Sequence, residues 1–271
     1  MQKSTSKAGK NLIALAIFGI AMGLLEAAVV VYLRQLYYPE GLSLPLKAAS
    51  PRILTVESLR ELATIVMLIT VGVATGQNGI ESFAYFLYMF GFWDIFYYVF
   101  LKVFLDWPAS ILTWDVLFFI PVPWVSPVLA PVICSLTMIV FGCITVLLQQ
   151  KGAHIKIKGV DWALFISGAA VIFYSFIKDY VTFLLSEGLP INIWALAKDP
   201  NFQQLISQYV PTHYNWYLFS VGELLMLIGM FHVFSCSQPK SQGTPQRNSR
   251  ARCKETLLFE VLQVLIILYK P

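Results

Sequence analysis

Three carboxylic acids, Glu26, Asp94 and Glu223, lie inside long apolar segments of the sequence. An ionised acid at the centre of a membrane-spanning helix costs roughly 2.5–3.5 kcal/mol. Three such acids would cost on the order of 8–10 kcal/mol, which is comparable to the net stability of a whole domain. We therefore expect these acids to face one another, a metal ion or a water-filled cavity, and we predict that they form the catalytic group of the protein.

Carboxyl groups in such a place support two kinds of chemistry. Oxygen-rich ligand sets suit magnesium, calcium, manganese or iron, and a buried carboxyl suits general acid–base catalysis. Glu61 and His213 are the candidate metal ligands. The candidate substrate contacts lie at helical steps of three or four residues from the acids or from one another, and they are Tyr98, Trp216 and Ser220.

The motifs of several enzyme classes do not occur in the sequence. HExxH, Glu-x-x-His, Gly-x-Ser-x-Gly and nucleotide-binding patterns are all missing, and the four cysteines form no CxxC spacing. The three histidines are too few for a histidine-rich membrane hydroxylase or a ceramidase-like zinc site. His213 and His232 fall at opposite ends of one segment, which excludes a haem pair. A divalent metal is the cofactor that this pattern leaves open.

The composition indicates a protein that lies in a membrane. Of the 271 residues, 58% are apolar and only 13% are charged, and the mean hydropathy is +0.69. A soluble domain carries about 25% charged residues, so this chain cannot build a surface that faces water on all sides. The same arithmetic excludes disordered, collagen-like and nucleic-acid-binding classes.

Six segments are long and apolar enough to cross a bilayer as helices, because about 20 apolar residues are needed at a rise of 1.5 Å each. They are residues 11–33, 55–75, 79–104, 127–148, 160–185 and 212–234. We therefore predict an all-α fold, a polytopic bundle of six transmembrane helices. The first segment follows three lysines, but its apolar run is too long for a secretory signal, so we expect an uncleaved first helix.

The distribution of basic residues predicts the orientation, because cytoplasmic loops are enriched in lysine and arginine. With both termini in the cytoplasm, the inner segments carry twelve basic residues: Lys3, Lys7, Lys10, Lys151, Lys156, Lys158, Lys240, Arg247, Arg250, Arg252, Lys254 and Lys270. The outer loops then carry four, namely Arg34, Lys47, Arg52 and Lys198. We expect a multi-pass protein of the plasma membrane or the bacterial inner membrane.

Three connecting or terminal regions differ in composition from the six spans. Residues 107–127 are apolar but broken by four prolines, which favours a re-entrant or interfacial hairpin. Residues 189–211 are typical of short helices on the outer surface. The chain divides into a six-span domain at 1–235, a basic disordered cytoplasmic linker at 236–254 and a short apolar helix at 255–271.

Helical spacing predicts that the acids share one interior. Gly19, Gly23 and Glu26 lie on one stripe of the first helix, and a Gly-x-x-x-Gly pair permits close helix approach. Four helices each carry one polar stripe at overlapping depth. The simplest assembly is a vestibule that opens on the outer face and ends near the middle of the membrane.

Several of these residues also have ordinary structural explanations. Ser58-Leu-Arg-Glu61 matches a capping box, so Glu61 can be a helix cap or a site residue. Glu57 and Arg60, three residues apart, favour a plain ion pair. Five tryptophans fall near the predicted outer boundary, which is typical of an interfacial belt: Trp107, Trp114, Trp124, Trp194 and Trp216.

Three kinds of function are compatible with this pattern. The first is an enzyme or binding protein for a lipid or small molecule at the outer face, with or without a metal. The second is an ion- or proton-coupled transporter, although the repeated halves common in transporters are missing. The third is a membrane anchor or assembly subunit. The predicted partners are the lipid bilayer and a second copy or a membrane-complex subunit, with no nucleic acid.

Overall fold

The computed structural model describes residues 2–37, 51–118, 122–188, 209–211 and 213–237, with side chains placed for residues 7–37, 52–53 and 55 onward within these ranges. Helices and strands within them are α1 (Gln2–Tyr37), α2 (Pro51–Thr75), α3 (Gly79–Leu105), β1 (Trp114–Val116), β2 (Val125–Pro127), α4 (Leu129–Gln150), α5 (Gly159–Ser186) and α6 (Trp216–Cys236). All six helices are long and apolar enough to cross a membrane. The predicted all-α membrane bundle is therefore confirmed.

The helix ends differ from the predicted segments by a few residues. The fourth segment was expected from residue 127, but α4 begins at Leu129 because Val125–Pro127 forms β2. The sixth was expected from residue 212, but α6 begins at Trp216, where the Asn215 side chain accepts a hydrogen bond from the Leu218 backbone N–H at 2.9 Å. The linker at 238–254, the apolar tail and nearly all of residues 189–211 lie outside the described residues.

The segment between α3 and α4 contains a short antiparallel sheet. Trp114 pairs with Pro127, Asp115 with Ser126, and Val116 with Val125. Residues 119–121 lie outside the described part, so the proline-broken hairpin and its place in the membrane stay predictions. The sheet holds Asp115 beside the neighbouring helices α1 and α3.

Glycines let the first four helices approach closely. A β-carbon on Gly23 would lie 2.8 Å from the Trp93 carbonyl oxygen, and one on Gly91 would lie 2.5 Å from the Ser135 carbonyl oxygen. The first contact joins α1 to α3, which is the close approach that the Gly-x-x-x-Gly spacing predicted. The second joins α3 to α4.

The last two helices form a second group. A β-carbon on either Gly168 or Gly222 would lie 2.9 Å from the other glycine's carbonyl oxygen, so the backbones of α5 and α6 cross in direct contact. Of this pair, α6 contacts α4, and α5 contacts β2. Polar residues of α4 therefore lie at the junction of the two groups.

The helices alternate in direction along the chain. We call the end where α1, α3 and α5 begin the basal end, and the end that carries β1 and β2 the distal end. At the basal end, the start of α3 meets the end of α4 through a hydrogen bond between the amides of Asn78 and Gln149 (3.4 Å). The candidate acids occupy the distal side of this frame.

Candidate functional site

The first acid, Glu26, forms an ion pair with an arginine of the neighbouring helix. The Arg60 guanidinium of α2 donates through Nη1 and Nη2 to the two oxygens of Glu26, the second at 2.7 Å. It also donates to both oxygens of Glu57, at 3.0 and 2.6 Å. The planar guanidinium has five donors, so it can hold two carboxylates at once. Glu26 therefore has a permanent positive partner, and the expected Glu57–Arg60 pair is part of a three-residue network.

A second network forms where α1 ends beside the sheet. Arg34 lies with its guanidinium carbon 3.8 Å from the centre of the Trp107 ring, and its Nη2 is 3.9 Å from Asp115 Oδ1. The Tyr98 hydroxyl donates to Asp115 Oδ2 at 3.2 Å. Arg34, Tyr98 and Asp115 are all buried. This network links α1, α3 and β1, and it assigns Tyr98 a structural partner.

Asp115 is expected to make the protein less stable as the pH rises from about 4 to about 7. Burial raises the pKa of its carboxyl to about 6, against the opposing effects of Arg34 and of hydrogen bonds from Val116 and Tyr98. In the unfolded chain the pKa of this carboxyl is about 3.9. The folded protein thus holds this proton more tightly, and the resulting stability is lost as the pH rises through 6. The loss is up to about 3 kcal/mol.

The midpoint of thermal unfolding across this pH range checks the expectation. Asp115→Asn should flatten the profile, because it removes the titrating group. Asp106→Asn is the matched control: Asp106 is exposed, and Lys102 lowers the pKa of its carboxyl. If the Asp115→Asn profile keeps the slope of the wild type, the slope comes from another group.

The second acid, Asp94, contacts a hydroxyl of α4. The Ser135 Oγ donates to Asp94 Oδ2 at 2.7 Å. Ser135 is 1% exposed, and its backbone is the surface against which Gly91 packs. The close crossing of α3 and α4 therefore holds the donor in front of the carboxyl.

The third acid, Glu223, reaches the same stretch of α4 from the other side. The Thr137 hydroxyl donates to Glu223 Oε1, and Cys134 Sγ lies 4.0 Å from Oε2. Glu223 is 8% exposed. Cys134, Ser135 and Thr137 lie within one turn of α4, so Asp94 of α3 and Glu223 of α6 contact the same turn.

The two acids that flank α4 differ from the other two in their partners. Glu26 and Asp115 each lie against an arginine. Within the ranges that the structure describes, Asp94 and Glu223 accept hydrogen bonds from hydroxyl groups and form no ion pair with a basic side chain. We call Asp94, Glu223 and the α4 residues between them, Cys134, Ser135 and Thr137, the α4 carboxyl site.

The other predicted site residues lie elsewhere. Trp216 packs edge-on against Tyr214, with ring centres 4.8 Å apart, in an aromatic cluster. His213 precedes α6 and is exposed, and Ser220 is exposed although it is three residues from Glu223. Within the described residues, no hydrogen bond or ion pair joins these three residues to the acids, and their role as site residues stays a prediction.

Glu61 is buried in the interior of α2. Its predicted role as a helix cap is wrong, because α2 begins at Pro51, well before Ser58. Across the described ranges no three His, Cys, Asp or Glu side chains are grouped so that they could hold a metal ion. The predicted pairing of Glu61 with His213 around a metal therefore gains no support from these residues.

An acid–histidine pair at the basal end was not predicted as a pair. His232 Nδ1 hydrogen-bonds Asp161 Oδ1, and the other Asp161 oxygen accepts from the Lys158 backbone N–H at 2.6 Å. Both side chains are buried. This pair caps the start of α5 and fastens it to the end of α6, which is a structural role.

At the α4 carboxyl site, two acids that form no ion pair within the described residues contact the same turn of one helix. Ser135 and Thr137 were not predicted as site residues. A serine and a threonine two residues apart in an apolar segment were the available signal. Comparison of the chain with protein-family models, with curated proteins and with solved structures finds no match.

Proposed function

We propose that this integral membrane protein binds a proton or a small cation, free or as the basic group of a small molecule, at the α4 carboxyl site. The observation that carries the proposal is the difference between the buried acids. Glu26 and Asp115 each lie against an arginine, whereas within the described residues Asp94 and Glu223 contact hydroxyl and thiol groups of α4. A carboxylate inside a membrane is costly unless a positive charge or a proton neutralises it, so these two need a neutralising ligand from outside.

The local packing supports a preorganised site. Ser135 and Thr137 lie on α4, which is packed closely against α3 through Gly91. Hydroxyl groups both donate and accept hydrogen bonds. They can therefore stabilise an ionised carboxyl when a cation is present and also contact the cation or the protonated form.

A site of this kind can serve either coupled transport or stable binding. The acids lie toward the distal end of the helices, so we expect the ligand to bind in the distal half of the membrane. In the orientation expected from the basic residues, this half faces the outside of the cell. A lipid- or small-molecule enzyme that uses Asp94 and Glu223 as general acid and base is the alternative. We rank binding first, because it needs only the two carboxyls and their hydroxyl partners, whereas general acid–base catalysis also needs a substrate held between them.

The proposal is tested by cation-dependent thermal stability of the detergent-purified protein. Sodium, potassium, calcium and methylammonium chlorides are compared at constant ionic strength, and the pH is varied for the proton. We expect at least one of these ligands to raise the unfolding midpoint of the wild type in a saturable manner. Asp94→Asn and Glu223→Gln should each abolish that response, because each removes one carboxylate of the site.

Glu57→Gln is the matched control. It removes a half-buried carboxylate of the Arg60 network and leaves the contact between Arg60 and Glu26 in place. We expect the ligand response to survive this substitution. A response that survives Asp94→Asn and Glu223→Gln but disappears in Glu57→Gln would move the site to the Arg60 network and contradict the proposal. Flux of the active ion into proteoliposomes then separates transport from binding.

A further inference from the structure

A cavity of about 800 Å³ opens at the basal end, far from the α4 carboxyl site. One wall is apolar and is formed by Ile80 and Phe83 of α3 and by Trp162 of α5. The rings of Phe83 and Trp162 lie with centres 6.3 Å apart, and both are exposed. Exposed aromatic rings at a helix start are typical of the boundary between lipid tails and headgroups.

The lining of this basal cavity also includes polar groups, namely the amides of Asn78 and Gln149 and the ring of His154. A binding space with both apolar and polar lining fits a molecule that is itself amphipathic.

Two lysines adjoin lining residues of the basal cavity in the sequence, and we call these two positions its rim. Lys151 precedes the lining residue Gly152, and Lys156 lies between the lining residues Ile155 and Ile157. Both lysines are exposed.

The acids nearest to this rim are engaged in local contacts. Glu81 accepts from the Gln77 backbone N–H at 2.9 Å, and Asp161 bonds His232. In the part of the chain that is described, no ion pair neutralises Lys151 or Lys156. The rim therefore favours an anion.

We propose that the basal cavity binds one anionic phospholipid of the membrane leaflet at this end. The phosphate would lie near Lys151 and Lys156, and an acyl chain would lie along Phe83 and Trp162. The charge selects an anionic headgroup over a zwitterionic one, since each lysine near a membrane surface adds attraction for anionic lipid. The apolar wall favours a lipid over free phosphate, which would leave that wall in contact with water.

The lipid would also join the two groups of helices. The cavity is lined by the start of α3, the end of α4 and the start of α5. Because α5 and α6 meet the other helices mainly along α4, a molecule that contacts α3 and α5 together adds a second connection. Bound lipid should therefore raise the unfolding midpoint, since it binds the folded state.

The test is native mass spectrometry and thermal unfolding of the delipidated full chain with added dioleoyl phosphatidylglycerol or dioleoyl phosphatidylcholine. We expect one tightly bound phosphatidylglycerol and little phosphatidylcholine. Lys151→Gln/Lys156→Gln should weaken phosphatidylglycerol binding about thirtyfold, which corresponds to about 1 kcal/mol for each lysine. Lys7→Gln/Lys10→Gln is the matched control, because it removes the same charge at the same end from residues that do not adjoin the cavity lining in the sequence.

A second variant places a bulky side chain in the cavity without changing charge. Gly79 lines the cavity, and a β-carbon at this position would meet nothing within 4 Å. Gly79→Trp should therefore fold normally and lose the bound lipid. Equal loss in the two lysine pairs, or retention of lipid in Gly79→Trp, would overturn the proposal. Inorganic phosphate that stabilises the protein as well as phosphatidylglycerol does would also overturn it.

Discussion

Arg60→Gln is expected to lower the free energy of unfolding by about 3 kcal/mol, because it leaves two carboxylates without their shared cation. The side chains of Arg60, Glu26 and Glu57 are 23%, 15% and 12% exposed, so the effect belongs at the lower end of the range for a broken buried ion pair. In a chain of this size the unfolding midpoint should fall by roughly 6–12 °C. Tryptophan fluorescence during heating of the detergent-purified protein measures it.

Two further variants separate charge from packing at this position. Arg60→Lys keeps the positive charge but loses the fork of donors, and it should fall between wild type and Arg60→Gln. Arg60→Gln/Glu26→Gln should recover part of the loss, because one unpaired carboxylate is removed with its partner. If Arg60→Gln unfolds within about 0.5 kcal/mol of the wild type, the size expected for a surface change, then the network does not stabilise the fold.

Gly91→Leu should both destabilise the bundle and disable the α4 carboxyl site. Its β-carbon would lie 2.5 Å from the Ser135 carbonyl oxygen and 2.7 Å from Ile139 Cγ1. The first of these is backbone, so α3 and α4 must move apart, at a cost of about 1–3 kcal/mol. The same movement draws Ser135 away from Asp94. We therefore expect a lower unfolding midpoint together with loss of the cation or proton response.

Gly9→Leu is the control for this variant, since Gly9 also lies within a helix and a β-carbon there would meet nothing within 4 Å. It should leave both the unfolding midpoint and the ligand response close to those of the wild type. If Gly91→Leu lowers stability but keeps the full response, the spacing of α3 and α4 does not position the site.

The six helices could be predicted because apolar length alone determines which segments cross a membrane. The residues at which each helix begins and ends were harder to predict, since they depend on local contacts. Pro127 continues the apolar run of the fourth segment, but it pairs with Trp114 in the sheet, and this contact is not visible in composition. The start of α6 is set by one hydrogen bond, which the Asn215 side chain accepts from the Leu218 backbone N–H.

The candidate site was predictable only in part. The glycine stripe of α1 indicated that Glu26 points into the bundle, and the structure places it there against α2. The spacing of Glu57 and Arg60 indicated a local pair. It could not show that the guanidinium also holds Glu26, which is 34 residues away in the sequence and on another helix.

The remaining differences between the predicted and the observed site concern one loop residue and one residue on a helix face. Asp115 lies in a loop by its sequence, yet the sheet buries it against Arg34. Ser220 was placed with Glu223 because three residues separate them. At 100° per residue these two positions still diverge by about 60° around the helix, which is enough to expose Ser220 while Glu223 is buried.

The most direct test of the α4 carboxyl site is infrared difference spectroscopy of the purified protein, recorded while the active cation or the pH is changed. A carboxyl group that exchanges a proton or binds a cation changes its C=O absorption. We predict carboxyl bands that disappear in Asp94→Asn and in Glu223→Gln and persist in Glu57→Gln. Bands that are unchanged in both of the first two variants would show that these carboxyls do not exchange a ligand, and would contradict the proposed function.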